Sequence, residues 1–171
     1  MHHASCLLLL ALILLLPICT FAKLTNNIHE NERQYGNEIT TKQYSEDGKR
    51  FTGKIVYPFP LYGWQVETIF IDGRSISESA RPKGNKAIKK IISEKEANVI
   101  ADMLYPKKER GPYRKQVKNA NFISHFFEKG VISYEMQLDL RRKNYIGVTG
   151  VRAILYEREQ TFKDIMINAY H

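Results

Sequence analysis

The sequence predicts an α+β domain: about six mostly antiparallel strands with one main helix, and a short C-terminal helix as a second, packed on the sheet. Three observations carry that expectation. An Asp72-Gly73 step sits between two apolar runs, a single capped amphipathic pattern occupies residues 93–106, and the run from Tyr145 to Glu157 is apolar on both faces.

Taken in chain order, residues 1–22 read as a signal peptide. ASCLLLLALILLLPICTFA holds no charge, and the small residues Thr20 and Ala22 suit cleavage after Ala22. The segment before it has no Lys or Arg, so a retained anchor is the alternative; membrane contact follows only in that case. The expected location is therefore secreted or periplasmic. Lys23 to Arg50 is polar, lacks aliphatic periodicity and ends at Asp47-Gly48, which reads as a flexible tail or linker. The single globular domain is then drawn over 51–171.

Within it, FTGKIVY opens as a strand and Pro58 closes it, because proline cannot continue a ladder. Asp72-Gly73 supplies the positive φ angles of a two-residue hairpin loop. Ser93 and Glu96 form a capping box, and Ala97, Ile100, Ala101 and Leu104 then recur at helical spacing until Pro106. KKERGPYRKQVK, from Lys107 to Lys118, reads as a basic loop. A second hairpin is expected around Glu128-Lys129-Gly130, with Gly130 taking the left-handed position of a three-residue turn. YIGVTGVRAILYE is apolar on both faces and belongs in the middle of the sheet. In TFKDIMINAYH, Phe162, Met166 and Tyr170 have the spacing of a final helix.

Composition excludes some chemistry. Cys6 and Cys19 both lie in the leader, so the remainder has no disulfide, thiolate metal site or cysteine nucleophile. Beyond the leader His29, His125 and His171 are widely spaced and no HExxH, EF-hand, P-loop or GxGxxG pattern occurs, so neither a metal nor a cofactor is expected. Charge is informative by its position. Residues 81–118 hold twelve Lys or Arg against four acids, which accounts for the whole net charge of +8. Such a segment attracts an acidic envelope polymer, anionic lipid or an acidic protein, with nucleic acid the last choice for an exported chain. Arg110, Tyr113, Arg114 and Lys115 place an aromatic ring between cations and are the candidate anion-binding residues, with Lys107 and Lys108 in electrostatic support.

Two constellations could carry catalysis. With the three-residue turn, His125 faces Ser133 and shares a sheet face with Glu135, the arrangement of a base, a hydroxyl and an orienting carboxylate. A strand serine lacks the sharp turn that positions oxyanion donors, so this pattern weighs little. In the first hairpin, an unbroken two-residue loop sets Glu67 opposite Glu78. Paired carboxylates repel, and Arg152, a charge on an otherwise apolar strand, is the expected neutralising partner. The leading reading is a small exported, non-enzymatic binding or interaction domain that uses residues 81–118 on an acidic partner. The alternatives are a metal-independent hydrolase or lyase acting on an extracellular polymer, and a structural envelope protein or subunit.

Overall fold

The computed structural model describes residues 24–44, 51–84, 91–119, 121–139 and 144–156. They build one antiparallel sheet of eight strands, not about six, with helices on one face. The strands are β1 (Thr40–Gln43), β2 (Gly53–Pro58), β3 (Trp64–Ile71), β4 (Arg74–Pro82), β5 (Tyr113–Lys118), β6 (Phe122–Phe127), β7 (Gly130–Asp139) and β8 (Asn144–Leu155). The helices are α1 (Ile28–Tyr35), α2 (Glu94–Leu104) and the single turn α3 (Lys107–Arg110). The leader and the C-terminal helix expected over 161–171 lie outside the described residues. Among the described residues no helix is long and apolar enough to cross a membrane.

The sheet order β1-β2-β3-β4-β8-β7-β6-β5 is two four-strand meanders joined where β4 meets β8. β8 thus occupies an interior position with partners on both sides, in keeping with its apolar faces. The two strands that overturn the expected count are the two edges. β1 (TTKQ) and β5 (YRKQVK) are exposed at every position, so neither shows the apolar alternation by which a strand is read. They are strands because a neighbour offers its ladder, not because of their own composition.

A second correction concerns residues 24–44, which are packed rather than a flexible tail. Asn27 and Glu30 form a capping box that starts α1, and the helix ends at Gly36, where φ is +87°. Leu24 and Tyr35 are buried, and the Tyr35 ring packs 5.9 Å from Tyr57 and 6.1 Å from Phe59. α2 begins with the Ser93–Glu96 capping box and buries Ala97, Ile100, Ala101 and Leu104. Just before it, Ile92 and Val148 exchange backbone hydrogen bonds of 2.9 and 3.0 Å, which ties α2 to β8. A side chain on Gly147 would strike Ile91 and come within 2.8 Å of the Ile92 carbonyl, so glycine is what lets this segment lie against the strand. Both longer helices feed one core with Tyr57, Phe70, Ile132 and Val151. Each such aliphatic or aromatic side chain contributes about 1.5–3 kcal/mol on burial.

Both hairpins differ in register from expectation, with direct consequences for the candidate residues. Asp72 (φ +51°) and Gly73 (φ +73°) form the expected two-residue loop. One step later, however, Phe70 faces Ser75 while Ile69 faces Ser77, so Ile76 is the extra residue of a β-bulge. Ile76 buries with Ile69 and Ile71 on the face away from the helices, which holds the bulge in place. In the second hairpin the turn is only Glu128-Lys129, because Gly130 already belongs to β7. An added Cβ there would collide with the Ile154 carbonyl and lie 3.0 Å from the Tyr105 ring. Gly130 is present for close approach, not for a left-handed turn.

Candidate functional site

A one-residue slip inverts every side chain of a strand, and this dissolves both catalytic constellations. His125 faces Ile132, while Ser133 faces Ser124 and Glu135 faces Phe122. His125 therefore lies on the helix-covered face with Ile132, and Ser133 and Glu135 lie on the other. The same slip puts Phe122 and Phe126 on that other face, instead of beside Ile132 and Tyr134. Likewise Glu78 faces Thr68, and Glu67 faces Ser79, so the two glutamates are on opposite faces of the sheet. Arg152 joins neither into the expected bridge. It is exposed, opposite Ser79 and Ser133, while Lys54 at 3.2 Å and Arg81 at 2.8 Å hold Glu67.

Glu78 is fully buried beneath α1. It accepts hydrogen bonds from the Tyr35 hydroxyl at 2.9 Å and Asn31 Nδ2 at 3.2 Å. Burial pushes its carboxyl up to about 7, against the smaller downward pull of those two bonds. Tyr35 is itself raised well above the usual phenol range, first by burial and then by the adjacent Glu78. The Asn31 Oδ1 and Tyr57 hydroxyl find no partner among the described residues, so this is an under-satisfied polar cluster inside the core.

His125 has different neighbours from those expected. It lines a pocket of about 80 Å³ with Glu94, Asn98 and Tyr134 above an apolar floor of Ile123, Met136 and Val148. Its ring lies 5.3 Å from Tyr134, near edge-on, and 6.2 Å from Tyr113. Burial lowers the His125 pKa, with Glu94 opposing and Arg110 reinforcing that shift, so the ring is neutral at physiological pH. Burial raises the Tyr134 hydroxyl to about 12, and it donates to Asn98 Oδ1 at 2.8 Å. The walls thus offer the hydrogen-bonding groups of His125, Asn98 and Tyr134 beside the Glu94 carboxylate, and no activated nucleophile. Pockets for small-molecule ligands run to roughly 300–1,000 Å³; this one has room for a side-chain-sized group, not for a polymer. Sequence reading missed Asn98 and Glu94 because they serve a pocket only once α2 lies across β6–β8.

The basic segment divides into buried and exposed parts. Arg110 is buried: it donates from Nε to the Tyr105 carbonyl and from Nη2 to Asp102 Oδ1, each at 2.6 Å, and lies over the Phe127 ring. It fastens α3 to α2 and does not belong to an anion site. Lys107 is drawn to the same Asp102 at 3.4 Å, and Lys108 stands in solvent. Tyr113, Arg114 and Lys115 lie on β5, which is exposed along its whole length. Lys118, outside the expected set, joins them. Lys115 and Lys118 lie over the Phe126 and Tyr145 rings at 5.3 and 4.3 Å, which orders their stems while leaving the strand exposed. Arg114 is 4.0 Å from Glu128, an exposed pair whose net strength is small.

No protein-family model, curated protein or solved structure matches this chain.

The functional reading consequently rests on its own geometry. Of the candidate groups, Arg114 and Lys115 are exposed together on β5, where Lys118 joins them, while Lys107 and Lys108 are exposed on the single turn α3 with Lys107 drawn to Asp102.

Proposed function

We propose that this protein is an exported, non-enzymatic binding domain that contacts an acidic partner through β5. The observation that carries this reading is an edge strand on which Arg114, Lys115 and Lys118 are all exposed. Natural edge strands carry lysine to discourage unwanted pairing, so the cations by themselves serve a protective role as well. What favours recognition is their combination with the exposed Tyr113 ring, which packs on Phe127 at 5.8 Å and presents an aromatic surface beside Arg114. The chemistry suits carboxylate or phosphate groups, whether on an envelope polymer, an anionic lipid or an acidic protein. Export rests on the uncharged Leu-rich run of residues 4–22.

The test is binding of soluble polyglutamate at increasing salt. Raising ionic strength from about 0.1 M to about 1 M shortens the screening length from about 10 Å to about 3 Å. Affinity is expected to fall by about tenfold or more over that range. The triple reversal Arg114→Glu, Lys115→Glu and Lys118→Glu is expected to abolish binding while leaving the thermal midpoint nearly unchanged. Affinity that survives both treatments overturns the reading.

A further inference from the structure

The outer rim of β5 offers backbone as well as charge. Asn119 N donates to the Phe122 carbonyl. Hydrogen-bonded pairs alternate with non-bonded pairs along an antiparallel ladder. In the observed register Val117 faces Ser124 and Lys115 faces Phe126, so these two turn their amides toward β6. Gln116 and Lys118 then turn theirs outward, and among the described residues no strand pairs with that edge.

We propose that the partner of β5 is an extended acidic peptide that adds to the sheet as a ninth strand. This rests on the reading of β5 as the binding element and specifies its ligand. Strand addition obtains affinity from main-chain hydrogen bonds and selectivity from alternate side chains. Here the selectivity is electrostatic. A second copy of β5 would bring Arg114, Lys115 and Lys118 against the same cations, and like charges directly across a ladder are destabilising. Lys115 pairs with Phe126 and Lys118 with Ile123, so the two lie on opposite faces, and a peptide with carboxylates at alternate positions sets opposite charge along one face, against Lys115 or against Lys118. The aromatic rings beneath Lys115 and Lys118 hold those ammonium groups close to the strand, where such a peptide would lie.

The probe is an octapeptide of alternating Glu and Thr, and its partner is an analogue N-methylated at two adjacent central amides. Adjacent methyl groups block both hydrogen-bonding edges and leave the charge unaltered. The parent peptide is expected to bind the full chain and to weaken with salt. The analogue is expected to bind about tenfold more weakly or worse, as befits the loss of one or two net hydrogen bonds. In the protein, Gln116→Pro removes one outward donor without touching a β5–β6 bond, and is expected to weaken the parent peptide similarly. If the analogue and Gln116→Pro both bind as the parent does while salt still weakens them, strand addition is overturned and the acidic-partner reading stands. If neither the octapeptide nor polyglutamate binds at low salt, both fall. If the chain instead dimerises in solution and Gln116→Pro makes it monomeric, the edge takes a second copy and the peptide proposal is overturned. Should Gln116→Pro fail to fold, the methylated peptide decides alone.

Discussion

At the scale of single residues, the same side chain type serves opposite ends according to where the fold puts it. Glu67 and Glu78 are eleven positions apart in one hairpin. One is a surface carboxylate between Lys54 and Arg81, and the other is a buried acid with no cation bridged to it among the described residues. Because the Glu78 carboxyl is raised from 4.5 to about 7, the native state holds a proton there that the unfolded chain has released. Its contribution to stability is therefore full below about 4.5 and declines as pH rises to about 7, on the order of 3 kcal/mol in all. Glu78→Gln is expected to remove that decline, so wild type and variant should diverge between about pH 4.5 and 7 in urea melts. Parallel pH profiles would show that the carboxyl does not titrate in this range. For Arg110, Ala substitution is expected to cost about 1–3 kcal/mol, since it removes a buried donor to the Tyr105 carbonyl and leaves Asp102 without its closest partner. Polyglutamate affinity of the still-folded fraction should be unchanged, which separates its structural role from the binding role of Arg114.

At the scale of elements, legibility followed locality. α2 was readable because its cap, its apolar stripe and its stop all lie within residues 93–106. The Asp72-Gly73 loop was readable for the same reason. β5 has the sequence of a loop because an exposed edge strand has no buried face to impose alternation. α1 was missed although Asn27 and Glu30 form a capping box; few apolar residues follow it, and its buried face includes the polar Asn31. Gly130 was visible as a turn signal but its purpose was not. Gly130→Ala is expected to destabilise by about 2–4 kcal/mol, since the backbone of β8 must move to admit a methyl group. A conventional left-handed glycine would lose only about 1 kcal/mol. The size of the loss in a denaturant melt thus discriminates between close approach and turn geometry.

At the scale of the whole molecule, the sheet is joined through contacts that no local window contains. β4 residues 77–80 pair with β8 residues 151–154, joining the two meanders late in the chain. Leu24 and α1 likewise seal a core built from strands further on. A chain beginning at Phe51, the domain boundary read from composition, would bare Glu78, Tyr57 and Phe59. It is expected to melt with reduced cooperativity and to bind a hydrophobic dye, whereas a chain beginning at Lys23 should melt as one unit. Equal melts would show that α1 is dispensable to the core. By itself the sequence determined the sheet-rich character, the hairpin at Asp72-Gly73, the capped α2, the interior place of β8 and the concentration of cations in residues 81–118. Only the tertiary structure decided the strand count and which residues share a face. Side chains alternate with a period of two, so one bulge at Ile76 and one short turn before Gly130 reassign whole strands. Those two choices are made by packing against Ile69 and Ile71 across the hairpin and against Tyr105 and Ile154 from distant segments.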